Sequence, residues 1–158
     1  MQEFIEHEVS VPGASVFIGT SEWVQPETWV CPESRYVVCQ RLSERHSALL
    51  LETGPREVRE VYSRVHALGF MPSRGRITMH PLGQPLRTLN CWFDRDAFED
   101  ATGIDETGWI DRAGEFLPIS NRNLEALMRR IQFELAQPGF GSEQMIEAAK
   151  RKKSSVEY

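Results

Sequence analysis

The chain has 158 residues, 41% of them hydrophobic and 26% charged, and 23 acids against 18 Lys and Arg give a formal net charge of −5. That length suits one domain with a real core, and a field of this sign argues against nucleic-acid binding through general charge, because such affinity comes from neutralised phosphates. A mean hydropathy of −0.40 with no long apolar run excludes a helical membrane span. The start "MQEFIEHEVS" lacks the apolar stretch of a signal peptide, so a cytoplasmic protein is expected.

From Phe4 to Phe93 the sequence is cut into short pieces by "VPGAS", "QPET", "CPES", "ETGP", "PSRG" and "PLGQP". Gly and Pro at that spacing punctuate an all-β region. Between them, "SVFIGT", "RYVVCQRL", "SALLLE", "GRITM" and "TLNCWF" have strand length and strand composition. Residues 57–68 are ambiguous. Val58, Val61, Tyr62 and Val65 fall at helical spacing, while the valines and the strand-rich setting favour a strand. Cys31, Cys39 and Cys91 are odd in number and form no C-x-x-C pair, which predicts reduced, buried thiols.

After Phe93 the period changes. Asp94 is placed to cap a helix, Asp96 follows in its first turn, and Gly103 suits the left-handed position past its end. A calcium loop is excluded, because Phe98 and Glu99 stand where a third Asp and a Gly are required. Asn121 opens a helix with Leu124, Leu127, Met128, Ile131 and Leu135 on one face. Pro138 and Gly139 end it, and Ser142 starts a second helix with Met145, Ile146 and Ala149 before the basic run Lys150 to Lys153. The expectation is a mainly β fold in one structural domain, with a compact sandwich or barrel over 1–93 and a helical segment over 94–158 packed against it.

The strand ending C-x-F-D (Cys91, Phe93, Asp94) is followed by F-E-x-x-T-G (Phe98, Glu99, Thr102, Gly103), and then by "LPISNRNLEALMRRIQFELAQPGFGSEQMIEA" with its P-G-F-x-S-E corner. In this order, over about Ser34 to Ala149 and most densely after Arg87, these marks resemble the N-terminal effector-sensing domain of AraC-type transcription regulators. The resemblance implies a cupin-like antiparallel β-barrel or sandwich followed by a C-terminal helical hairpin. It also implies a small-molecule effector and a homodimer formed through the hairpin, for which Leu124, Met128, Ile131, Met145 and Ile146 are the candidates. The family binds DNA through two helix-turn-helix units downstream. No further amphipathic set follows residue 153 here, so DNA would be reached only through a domain absent from this chain.

A barrel of this kind is also used for metal chemistry, and the residues can be compared with that use. Metal-binding cupins carry H-x-H with a Glu, and G-x5-P-x-G-x2-H-x3-N. Gly75, Pro81, Gly83 and Asn90 fit the second motif, but Leu86 stands at the ligand histidine, and His7, His46, His66 and His80 form no H-x-H. Leucine offers a metal no lone pair, so neither metal nor cofactor is expected. His80 has no partner to orient it, and no nucleophile elbow or phosphate loop is present. Nothing in the sequence points to catalytic residues or an enzyme. Strand alternation groups Tyr36, Val38, Gln40 and Leu42 on one face, expected to be inward, and the family resemblance implies that Leu89, Cys91 and Phe93 are inward and Asn90 outward. The expected ligand site is therefore Tyr36, Gln40, Met79 and Cys91, with Trp23 and Trp29 packing on an edge strand. Two rivals stay open: a small cupin-type enzyme, and a ligand-free interaction domain with a filled barrel.

Overall fold

The structure, a computed structural model, describes residues 2–43, 50–52, 60–61, 66–80, 84–105, 107–108 and 117–137. Its elements run β1 (Gln2–Val11), β2 (Ala14–Glu22), β3 (Glu27–Val30), β4 (Arg35–Arg41), β5 (Leu50–Glu52), β6 (Glu60–Val61), β7 (Leu68–Met71), β8 (Arg76–His80), β9 (Leu86–Asp94), α1 (Arg95–Thr102), β10 (Leu117–Ile119) and α2 (Arg122–Ala136). The fold is mainly antiparallel β. One sheet has six strands in the order β1-β2-β9-β4-β7-β10, and the other has four in the order β3-β8-β5-β6.

The turns lie where Gly and Pro cut the sequence. Pro12 and Gly13 join β1 to β2, with Val11 paired to Ala14 and Gly13 at φ 81°, a conformation that strains a residue bearing a Cβ. A Cβ on Gly13 would also stand 3.0 Å from that of Ala97, so this turn packs closely on α1. β1 is not among the expected runs. Its glutamates hide the strand pattern, and its place comes from the ladder with β2, broken by a bulge between Ile5 and His7.

Both faces of the six-stranded sheet are covered. On one side Ile18, Tyr36, Val38, Phe70, Leu89 and Cys91 pack with Met128 and Leu135 of α2. On the other, Val37, Met71, Ile77 and Met79 form a second core between the two sheets, with Trp23, Trp29 and Trp92 against it. The layers are thus helices, six strands, four strands.

The expected inward set is out of phase with this arrangement. Tyr36, Val38, Leu42, Leu89, Cys91 and Phe93 all belong to the helix-facing core, while Asn90 lies between the sheets. A strand buried on both faces offers two apolar sets, so apolarity alone does not say which one faces the other sheet.

The helices form as the caps dictate, with two differences. Asn121 Oδ1 accepts from the amides of Asn123 and Leu124 at 3.0 Å, and Gly103 ends α1 at φ 66°. Asp94 occupies the N-cap of α1 without a side-chain cap bond; its carboxylate lies 3.5 Å from Arg35 Nε instead. Leu127 is not on the packed face of α2. Leu124, Met128, Ile131 and Leu135 meet the sheet, and Leu127, at the flank of that stripe, is 53% exposed. Of 57–68, Glu60 and Val61 form β6, His66 and Ala67 lead into β7, and Leu68 opens it; 57–59 and 62–65 lie outside the described residues, as does the second hairpin helix with Met145 and Ile146. Among the described residues no helix is long and apolar enough to cross a membrane.

Candidate ligand-binding cleft

β9 is the strand both faces share. Its odd-numbered residues Leu89, Cys91 and Phe93 meet the helix layer, and the alternate Thr88, Asn90 and Trp92 turn toward the four-stranded sheet. Together with Trp29 of β3, Cys39 of β4 and Met79 of β8 they line a cleft of about 160 Å³. The indoles of Trp29 and Trp92 lie 6.0 Å apart at 58°, and Phe17 approaches Trp92 at 5.9 Å, tilted contacts of the kind aromatic pairs prefer. Asn90 Nδ2 donates to Thr88 Oγ1 at 2.9 Å, which leaves Asn90 Oδ1 as an acceptor. The Trp23 indole N–H is buried without a partner among the described residues in the same layer.

Along β1 the cleft adjoins a larger hollow of about 610 Å³; Glu3, Phe17 and Trp92 are walls of both. The hollow adds Glu8, Ser15, Arg35 and Asp94. Arg35 lies 3.5 Å from Asp94, donates to Ser15 Oγ at 3.4 Å, and holds its guanidinium carbon 5.7 Å from the centroid of the Trp92 ring, within cation–π range.

Of the four expected site residues, the structure places Met79 in the cleft and the other three across the sheet. Tyr36 Oη donates to Glu99 Oε1 at 2.8 Å, tying β4 to α1. The Cys91 thiol lies 3.6 Å from Met128 Sδ. Gln40 is completely buried; its Nε2 donates to the His66 carbonyl at 3.4 Å and its Oε1 has no partner among the described residues. Trp29, Trp92, Thr88, Asn90 and Cys39 are cleft residues the sequence reading did not select. The signal was there in β9: one alternate set is Leu, Cys and Phe, and the other is Thr, Asn and Trp. A wall facing a ligand mixes polar and aromatic groups, whereas a helix-packed face is apolar.

The chemistry of the thiols is restrained. Burial pushes Cys39 up to about 11, and Cys31 and Cys91 to about 12, so each is protonated at neutral pH and a poor nucleophile. All three are free. Among the described residues no three His, Cys, Asp or Glu side chains are grouped to hold a metal ion. Elsewhere, Glu6 takes Arg87 in a bidentate pair (2.8 and 2.6 Å) and accepts from Thr20 at 3.0 Å. The bond from Arg87 holds the Glu6 carboxyl below the usual carboxylate range, and the pair pins the bulged β1 to β9. Comparison with protein families finds no matching profile, and neither the curated proteins nor the solved structures contain a significant match to the chain.

Proposed function

We propose that the chain is the effector-sensing and dimerisation part of an AraC-type transcription regulator, a cytoplasmic protein whose cupin-like barrel carries a C-terminal helical hairpin. The observation that carries this reading is the position of the cleft relative to the helices. Asn90 and Trp92 wall the cleft, and Cys91 and Phe93, alternating with them on β9, contact the helix layer. A ligand that moves β9 therefore acts on α1 and α2 through one strand.

The residues that carry the family resemblance sit at that junction. Phe93 packs on Phe98 at 5.4 Å, Glu99 accepts from Tyr36, and Thr102 Oγ1 donates to the Phe98 carbonyl at 2.8 Å. They join sheet to helix. Regulation requires the effector to bind two arrangements of the helices with different affinity. Leu124, Met128 and Ile131 pack against the sheet, so pairing through α2 falls to its outward side, where Leu127 and Phe133 are exposed. The reading assigns no catalytic residue and no cofactor, and DNA contact belongs to a helix-turn-helix domain that these residues do not include.

Native mass spectrometry of the untagged protein tests it. The expected species is a metal-free dimer that carries, or takes up, one small organic molecule per chain. A monomer holding one transition metal would overturn the reading in favour of a small cupin-type enzyme.

A further inference from the structure

The voids, the charges around them and the aromatic walls together specify a ligand chemistry. We propose that the cleft takes an aryl-substituted organic cation, its ring against Trp29, Trp92 and Met79 and its ammonium at the mouth beside Glu3, with Glu8 beyond it. This rests on the effector-binding reading above and names the class of effector.

Size comes first. The inner cleft measures about 160 Å³, and an apolar protein cavity of about 150 Å³ holds one benzene molecule. Its deeper walls are Val37, Met71, Ile77 and Met79, which suit a ring and give a charge nothing to bond. The charged group of a ligand must therefore point outward, past Trp92 and Glu3, into the hollow along β1.

The sign of that charge follows from the hollow's own groups. Three carboxylates, Glu3, Glu8 and Asp94, face one guanidinium, that of Arg35. Arg35 and Asp94 lie 3.5 Å apart and offset each other. Glu3 and Glu8 have no ion-pair partner among the described residues, so the mouth is left with an excess of negative charge. The Trp92 ring already carries one cation, the Arg35 guanidinium at 5.7 Å, and tryptophan is the aromatic side chain best suited to that contact. Within the cleft, Asn90 Oδ1 is a further acceptor, and the Cys39 thiol is uncharged at neutral pH. A carboxylate ligand meets repulsion at this mouth, and a neutral one gains only the apolar half of the site.

Three probes of one shape separate these cases: phenethylamine, protonated at pH 7, 2-phenylethanol and 3-phenylpropionate. Each is titrated into the intact chain at low and high salt, with tryptophan fluorescence as the readout. The amine should bind about ten-fold more tightly than the alcohol, and the carboxylate most weakly. High salt should shrink that preference, because the mouth is open to solvent. Glu3→Gln, a change on an exposed side chain, should bring the amine close to the alcohol and leave the alcohol unchanged. Asp100→Asn alters the net charge equally on exposed α1 and should leave the preference intact. Alcohol or carboxylate binding as tightly as the amine would overturn the cationic assignment while the effector-binding reading stood. Binding of none of the three would overturn it as well, and the native mass spectrum would then decide the broader reading separately.

Discussion

Gln40 is wholly enclosed on the helix-facing side of β4, yet among the described residues only one end of its amide finds a partner. A buried acceptor without a partner costs about 1–3 kcal/mol, and replacing it by an apolar group of similar shape is neutral or stabilising. Gln40→Leu should therefore leave stability unchanged or raise it by about 1 kcal/mol, read as the midpoint of urea unfolding. A clear loss would mean that the amide has a bonding partner. Its neighbour His66 adopts φ 67°, and burial holds its imidazole below the usual 6.5, with Arg129 adding to the shift and Glu125 opposing it. Between the lowered value and 6.5 the unfolded chain binds more protons than the folded one. This contribution is full above pH 6.5 and is lost as pH falls through 6.5 toward the folded value. His66→Asn keeps a residue that tolerates positive φ and removes the titration, so the decline in stability between pH 7 and 5 should become shallower. An unchanged slope would assign it to other groups. The sequence announces Gln40 as a buried amide in need of partners. It does not announce that the partner is the His66 carbonyl, because a contact across 26 positions depends on how β4 and β7 pair.

α1 is a short helix with no buried residue of its own, so its attachment to the sheet rests on a few contacts. Phe98 stacks among Tyr36, Phe70 and Phe93 at 4.8 to 5.9 Å, and the Tyr36 hydroxyl reaches Glu99. Tyr36→Phe keeps the rings and deletes that one bond to a charged acceptor. It should cost about 1.5–3 kcal/mol in the unfolding midpoint, and no loss would show that Glu99 bonds elsewhere. α2 depends on its cap in the same way. Asn121→Ala removes the acceptor for two amides and should cost about 1 kcal/mol. Both helix starts, both helix ends and the strands β2, β4, β5, β8 and β9 were legible, because Pro, Gly, Asp and Asn fix local backbone geometry and β-branched runs mark strands; β3, β7 and β10 are too short to show a pattern of their own. β1 was not legible, since an edge strand exposed along most of its length carries no apolar alternation and takes its conformation from its neighbour.

The six-stranded sheet is common to both cores, and this bears on how the protein unfolds. Trp23, Trp29 and Trp92 lie on the side facing the four-stranded sheet, while α2 packs on the opposite side through Met128, 2% exposed, and Leu135. Fluorescence from these three tryptophans therefore reports on one core, and circular dichroism of α2 on the other. Alternate residues of β4 and β9 belong to different cores, so neither strand can detach from one layer without disturbing the other. The two signals should follow one transition in urea, as a single cooperative unit requires. The sequence predicted both a strand-rich half and a helical half in one domain. It could not assign each alternate set to its layer, because Tyr36 and Val37 are both buried and only pairing distinguishes their sides. Met128→Ala probes the coupling directly. The substitution empties space in the helix-side core and should destabilise by about 2–5 kcal/mol. With the sheet shared, the fluorescence midpoint should move with the dichroism midpoint, although among the described residues no tryptophan belongs to the core that Met128 fills. Should the dichroism transition move alone, the helix layer would be docked as an independent unit, and a ligand in the cleft would then have no rigid path through β9 to the helices.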